Sequence, residues 1–227
     1  MRRQHGAFTL IELLVVIAII SLLVAMLAPS LSAAKLRARV IKAHAELHAV
    51  GTALEAYATE HQAYPPVRAS CNRDMLGHEN QLPVELSNSR YLPRGPSLPD
   101  GRRDNRRMVG MEDPFNPEHT YKYNAPGDLI LNSSRIAAGN ALWVPDAFPG
   151  DDRDGPLDDT SDGRRYNDPA KCPVRWVIWS LGPQPASSMS NCSRSPISRR
   201  SWYRGGRDGA GVICRITARD GQVVKSP

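Results

Sequence analysis

The sequence predicts an α+β protein in which a long N-terminal helix spans a membrane with its first half and packs with its second half on a small antiparallel sheet. Three observations lead to this prediction: an apolar run near the N-terminus, an amphipathic helical pattern directly after it, and several strand-like segments further along the 227-residue chain. About 160 residues follow the helix, which is enough for one modest globular domain.

The apolar run extends from Phe8 to Ala28 and contains a single charged residue, Glu12. As a helix it would be about 31 Å long at about 1.5 Å per residue, which matches a bilayer core of about 30 Å. A carboxylate within such a span costs about 2.5–3.5 kcal/mol unless another group compensates it. We therefore predict a transmembrane helix over residues 8–28, and a positively charged partner for Glu12 that another copy of the chain supplies.

An amphipathic extension over residues 29–63 follows this span. Pro29 lies at its start, where its missing backbone donor predicts a kink in the helix. A stripe in steps of four and three is formed by Leu36, Val40, Ala43, Leu47, Val50, Leu54, Tyr57 and His61. The stripe predicts a face that packs on the head domain. A coiled-coil dimer is the alternative, but the stripe lasts under four heptads before Tyr64-Pro65-Pro66 ends the helix near Ala63.

Residues 64–227 are predicted to form the head domain. Residues 65–111 are rich in proline, glycine, asparagine and arginine, which predicts a long loop with short helical pieces such as 82–86. Strands are predicted over 120–123 and 174–182 because these segments are rich in β-branched and aromatic residues. The segments 212–218 and 222–225, separated by a turn that ends in Asp220-Gly221, predict a C-terminal hairpin.

The N-terminal segment, with a small residue before Phe8-Thr-Leu-Ile-Glu12 and a long apolar helix, resembles the class III signal of type IV pilins and type II secretion pseudopilins. The resemblance implies that residues 1–7 are a leader peptide, that a prepilin peptidase cuts between Ala7 and Phe8, and that Phe8 is then N-methylated. The family usually has Gly before the cut. Here Gly6 lies one place earlier, so cleavage after Gly6 is the alternative. An ordinary secretory signal or a plain signal anchor is a further alternative, but a plain anchor leaves Glu12 unexplained.

Two segments of the head extend the resemblance, most closely to the major pseudopilins of type II secretion. One is Asp113-Pro-Phe with Asn116, Pro117, Tyr121, Tyr123, Pro126 and Gly127, and the other is Ser180-Leu-Gly182. The family pattern continues after this glycine with Asp-Gly, near an acidic calcium-binding loop, whereas this chain has Pro183-Gln184-Pro185. The transfer of that calcium site to this chain is therefore not direct.

The resemblance implies a structural subunit of a pilus-like filament that drives protein export, with Glu12 as the assembly charge. It implies a single-pass inner-membrane protein with a cytoplasmic N-terminus and a periplasmic C-terminal domain. The partners implied are further copies of the chain, other pseudopilins or pilins, the prepilin peptidase, an inner-membrane assembly platform and membrane lipid. A type IV pilus or DNA-uptake pilin, and a membrane-anchored binding head that does not polymerise, are the alternatives.

Few residues suggest cofactor or catalytic chemistry. Asp158, Thr160 and Asp162, followed by Gly163, have the alternating spacing of calcium ligands, although a solvated acidic loop is the simpler interpretation and no EF-hand is completed. Calcium is thus the one cofactor suggested. His44 and His48 are four apart, as in some metal sites, but solvated side chains are the simpler interpretation.

The remaining residue classes favour a structural protein. Disulfide candidates in an extracytoplasmic domain are Cys71, Cys172, Cys192 and Cys214, which allow three connectivities. The net charge is +6, but the arginine pairs lie in Gly/Ser/Pro-rich loops, which disfavours a nucleic-acid surface. The sequence contains no nucleophile–base motif and no Gly-rich phosphate loop, so we do not expect an enzyme.

Overall fold

A computed structural model describes residues 9–69, 80–96, 109–131, 134–145, 163–184, 197, 201–206 and 209–227. The chain divides into two compact units, Met1–Ala38 and Arg39–Pro227. One helix, α1 (Leu10–His61), contributes to both units.

In the first unit, α1 begins at Leu10 and carries mostly apolar, exposed side chains up to Leu31. This helix is long and apolar enough to cross a membrane, and none of its most apolar stretch is buried by the described part of the chain. It continues through Pro29, as the sequence predicts, and ends at His61, two residues before the predicted end near Ala63.

The second unit contains one short helix, α2 (Val84–Asn88), and nine described strands. The strands are β1 (Val67–Ala69), β2 (Lys122–Asn124), β3 (Gly127–Leu131), β4 (Ser134–Asn140), β5 (Leu142–Val144), β6 (Arg164–Tyr166), β7 (Val174–Ser180), β8 (Ile213–Ala218) and β9 (Val223–Lys225). The main sheet is antiparallel in the order β2-β7-β8-β9, and it contains every strand that the sequence predicts.

Two smaller sheets were not predicted. One has the order β1-β3-β4 and the other pairs β5 with β6. Strand β1 runs parallel to β3, so the head is not wholly antiparallel as expected. Strand β4 (Ser134–Asn140) is exposed along nearly its whole length. Its sequence does not alternate between apolar and polar residues, and this alternation is the pattern from which a half-buried strand is predicted.

Strand β7 is the centre of the head because both of its faces are buried. Val177 and Trp179 belong to a hydrophobic cluster with β5 and β8 residues, whereas Trp176 and Ile178 lie on the opposite face. A strand buried on both faces carries a continuous apolar run rather than an alternating one. This explains why Trp-Val-Ile-Trp is the clearest strand signal in the sequence.

The second half of α1 packs on the face of the sheet that carries Trp176. The buried helix residues are Ala43, Leu47, Val50, Gly51, Ala53 and Leu54, which confirms the central part of the predicted stripe. Gly51 is the point of closest approach, because a β-carbon there would lie 2.9 Å from Cη2 of Trp176 and 3.3 Å from Nε of Arg215. The helix can therefore approach the sheet this closely only with glycine at position 51.

Replacing Gly51 by valine is expected to destabilise the head by about 2–3 kcal/mol, because the added side chain overpacks the buried indole of Trp176. The measurement is chemical unfolding of the detergent-solubilised chain, followed by tryptophan fluorescence. Ala56→Val adds the same residue at an exposed position of the same helix. It should cost no more than the difference in helix propensity, below about 1 kcal/mol, and equal effects of the two variants would contradict the packing argument.

Candidate functional site

Glu12 takes part in a capping box at the start of α1. Its backbone N–H donates to Oγ1 of Thr9 at 3.3 Å, and its Oε2 accepts hydrogen bonds from the backbone N–H of Thr9 at 2.9 Å and from the Thr9 hydroxyl at 2.8 Å. A Ser or Thr three residues before a Glu, with reciprocal bonds, is a helix N-terminal motif. The sequence contains this spacing, but Glu12 was predicted only to make an intermolecular contact, and the capping box was missed.

The capping box satisfies hydrogen bonds but does not neutralise the charge. Among the residues from Thr9 onward that the structure describes, no cation forms an ion pair with Glu12. The carboxylate therefore keeps its need for a positive partner once the helix enters an apolar medium. Ala7 and Phe8 lie outside the described residues, so the cleavage and methylation site stays a prediction.

Pro29 lies inside the continuous helix, where it removes one backbone donor. Two serines beside it bond back to the helix: the Ser30 hydroxyl donates to the carbonyl oxygen of Leu27 at 2.8 Å, and the Ser32 hydroxyl donates to that of Pro29 at 2.9 Å. Such back-bonds compete with the regular helix pattern and accompany bending. The kink at Pro29 stays a prediction.

Carboxylates of α1 attach the helix to the head. Glu55 accepts a hydrogen bond from Nε1 of Trp176 at 2.7 Å and from the hydroxyl of Tyr64 at about 3.0 Å, and Glu46 accepts one from Tyr121 at 2.6 Å. Burial, together with the charge of Glu55, raises the pKa of Tyr64 to about 12, so this phenol remains a donor at neutral pH. These bonds add direction to the apolar contact, because each fixes the position of one residue of the helix against the sheet.

Asp113 joins the two head segments that carry the family resemblance. Its carboxylate accepts hydrogen bonds from the Ser180 hydroxyl at 2.6 Å, from the backbone N–H of Leu181 at 2.9 Å and from the backbone N–H of Phe115 at 2.9 Å. The side chain is almost completely buried. The two segments, 67 residues apart at Asp113 and Ser180, thus form one clamp, which we call the Asp113 clamp.

Gly182 completes the Asp113 clamp. Its backbone N–H donates to the Ser180 hydroxyl oxygen at 3.2 Å, and its φ of +73° lies in the region that favours glycine. A β-carbon at this position would overlap the carbonyl oxygen of Gly211. Ser180 and Gly182 are therefore required by local geometry, whereas the Asp-Gly that the family places after them, and this chain lacks, has no part in the clamp.

Opposing influences act on the pKa of Asp113. Burial raises its pKa, whereas the bonds from Ser180, Phe115 and Leu181 and the nearby charge of Lys122 lower it, and burial is the larger influence. Asp113 therefore has a structural role, because the described donors that contact its carboxylate all belong to the head.

Cys172 and Cys214 cannot bond each other. Cys214 is opposite Trp179 in the β7–β8 ladder, and Cys172 lies seven positions before Trp179 in the chain. At about 3.3 Å per residue the separation is about 20 Å, whereas a disulfide needs Cα atoms within about 7 Å. Two of the three connectivities remain, in which Cys172 joins either Cys71 or Cys192; those two residues lie outside the described residues. Burial raises the pKa of the Cys172 thiol to about 12, which disfavours its reactive thiolate.

Asp158, Thr160 and Asp162 also lie outside the described residues, and the described part of the chain holds no cluster of three acidic, histidine or cysteine ligands. Calcium binding at the acidic run therefore stays a prediction. Added calcium is expected to raise the melting temperature of the chain, and the Asp158→Ala/Asp162→Ala double variant should lose that increase. An unchanged melting temperature of the unmodified chain would end the calcium hypothesis.

Comparison with known proteins agrees with this arrangement. Residues 1–28 match the family model of the prokaryotic N-terminal methylation motif. The chain is 30% identical over 117 residues to the type II secretion system core protein G of Pseudomonas aeruginosa, an alignment that covers 50% of this chain and 81% of that protein. It is 28% identical over 128 residues to the core protein G of Vibrio cholerae, covering 56% of this chain and 75% of that protein. No solved structure matches the chain significantly.

The N-terminal match includes the capping box with Glu12, and the alignments extend well beyond it. A relative at this identity, most of whose length is covered, shares the fold and the family of the chain. The chain therefore belongs to the family of the type II secretion system core protein G.

Proposed function

We propose that this chain is a structural subunit that polymerises into a pilus-like filament of type II secretion and thereby drives protein export. The observation that carries the proposal is the exposed apolar surface of α1 from Leu10 to Leu31, which contains Glu12. An apolar surface of this extent needs a covering partner. A lipid bilayer covers it before assembly, and the helices of other copies cover it in the filament.

Membrane anchoring follows from this helix and from the family, and we propose a specific orientation. The N-terminus lies in the cytoplasm, α1 crosses the inner membrane once, and the head lies in the periplasm. The leader, residues 1–7, is then accessible to a prepilin peptidase on the cytoplasmic side, which cuts between Ala7 and Phe8 and methylates the new amino group. The match to the N-terminal methylation motif supports this maturation.

Assembly uses the charge that the capping box leaves without a counter-ion. The Glu12 carboxylate of an incoming subunit pairs with the Phe8 ammonium of its neighbour, which neutralises both groups in an apolar core and fixes the register between subunits. We propose that other pseudopilins and an inner-membrane assembly platform take part. The chain itself contributes contacts rather than catalysis, and the assembly machinery supplies the energy.

Two measurements on the membrane-purified chain test this function. Intact mass should show the loss of residues 1–7 and the gain of one methyl group, and cross-linking in intact membranes should give a ladder of oligomers. A chain that begins at Met1 or Lys35, or that stays monomeric, contradicts the proposal. Cell-surface filaments that bind DNA would instead indicate a type IV or DNA-uptake pilin.

A further inference from the structure

A basic groove lies on the head between α1 and the C-terminal hairpin. It has a volume of about 440 Å³, and its ionisable lining groups are His44 and His48 from α1, Arg215 from β8 and Lys225 from β9. Ile41 lies at its rim and is 68% exposed. None of the described residues that line the groove is acidic.

The hairpin holds two of these cations directly opposite each other. Arg215 and Lys225 are cross-strand partners in the β8–β9 ladder. Like charges in this position are destabilising, and among the described residues no carboxylate forms an ion pair with either of them. The fold therefore places an unfavourable pair of cations next to each other at the surface.

The ionisable groups that α1 contributes to the groove, His44 and His48, are also basic. Burial lowers the pKa of His44, and the charges of Lys225 and Arg215 lower it further, whereas a hydrogen bond with the main-chain oxygen of Pro227 raises it. Burial also lowers the pKa of Arg215. These shifts are the expected result of several basic groups in a partly desolvated space, and such a space favours an anionic partner.

We propose that this basic groove binds a carboxylate-bearing face of a second copy of the chain and forms one side of the contact between heads in the filament. The inference rests on the proposed function. A groove of one sign cannot face itself across a two-fold axis, because the cations of both copies would repel. The contact must therefore be heterologous, with different surfaces on the two copies, and a heterologous contact that does not close generates an open helical filament.

The chain offers the complementary groups. Exposed carboxylates lie away from the groove, Glu60 near the end of α1 and Asp220 in the β8–β9 turn among them. Because α1 lines the groove and is continuous with the apolar helix, occupation of the groove would fix each head relative to the next while the helices pack. Ile41 at the rim adds apolar contact area.

The first test is charge reversal in the full chain in membranes. Lys225→Glu is expected to lower the yield of cross-linked oligomers by on the order of tenfold. Arg164→Glu is the matched control, because Arg164 is exposed on β6 and does not line the groove; it should leave the yield unchanged. Both variants should be processed to the same mature N-terminus, and neither should lower the melting temperature, since Lys225→Glu places an opposite charge across from Arg215; this separates loss of contact from loss of folding.

The second test identifies the occupant. A zero-length carbodiimide reagent joins a lysine amine to a carboxylate in direct contact. Filaments assembled from a mixture of isotope-labelled and unlabelled chains should yield a Lys225 peptide joined to an Asp or Glu peptide of a different copy. Changing that acid to lysine in the Lys225→Glu background should restore assembly.

The outcomes separate the two proposals. Normal assembly of Lys225→Glu, or a Lys225 cross-link found only within one chain or only to a different protein, overturns the basic-groove inference and leaves the filament function standing. Failure of the unmodified chain to form oligomers overturns both.

Discussion

Filaments are expected to exclude a Glu12→Gln subunit almost completely, by on the order of a hundredfold to a thousandfold relative to the unmodified chain. Glutamine can still accept the bonds of Thr9 in a capping box, so the helix start survives. The charge is lost, however, and in the proposed pairing the Phe8 ammonium of the neighbouring copy would be left without its counter-ion in an apolar core, at a cost of about 3–5 kcal/mol. Co-expression with the unmodified chain and quantification of each form in purified filaments measures the effect.

Two further variants separate charge from capping. Glu12→Leu removes both and should also insert into the membrane but fail to assemble. Thr9→Val keeps the charge and removes the hydroxyl that makes two of the three Thr9–Glu12 bonds; it should cost about 1 kcal/mol at the helix start and still assemble. Normal incorporation of Glu12→Gln together with failure of Thr9→Val would show that Glu12 acts through the capping box alone.

The second large effect is expected in the head. Asp113→Ala should lower the free energy of unfolding by about 3–5 kcal/mol, because the Ser180 hydroxyl and the backbone N–H groups of Leu181 and Phe115 lose their acceptor in a buried site. Chemical unfolding of the detergent-solubilised chain, followed by tryptophan fluorescence, measures the loss. Trp176 and Trp179 are both fully buried in the adjacent strand and should report it.

Asp168→Ala is the matched control for this variant. Asp168 also accepts a local backbone hydrogen bond, from the N–H of Ala170 at 2.9 Å, but its side chain is 45% exposed. Water can replace the lost acceptor there, so the expected effect is below about 1 kcal/mol. Similar losses for Asp113→Ala and Asp168→Ala would contradict the buried-clamp interpretation.

The pH dependence of stability gives an independent check. The pKa of Asp113 is raised in the folded head above its unfolded value. The protonated Asp113 side chain therefore contributes fully to the free energy of unfolding below the unfolded pKa. This contribution is lost as the pH rises through the raised folded pKa. Asp113→Asn cannot titrate, so its stability should lack this decrease. Parallel pH profiles for the two chains would show that the carboxyl does not carry the effect.

The elements that the sequence predicts are those determined by local pattern. The stripe through Ala43, Leu47, Val50 and Leu54 predicts the packed face of α1, and the Trp-Val-Ile-Trp run predicts β7. The capping box could also have been predicted, because Thr9 and Glu12 have the spacing of this motif. In these cases neighbouring residues along the chain carry the physical cause.

The elements that escaped prediction depend on contacts between distant residues. The exposed strand β4 is defined by pairing with β3 and not by its own composition. Asp113 and Ser180 each belong to a recognisable segment, yet their hydrogen bond needs the whole β2–β7 pairing to bring them together. The basic groove likewise requires the register that places Arg215 opposite Lys225.

The Asp113 clamp has a consequence for how this domain tolerates insertions. Its bonds and the adjacent β2–β7 ladder fix both ends of the segment that contains β3 to β6, and the buried Leu142 and Val144 of β5 hold that segment to the core. The entropy of closing a loop rises slowly, by about 0.6 kcal/mol for each doubling of length. Residues can therefore be gained or lost in the connections between these strands, rather than within them, with little thermodynamic penalty.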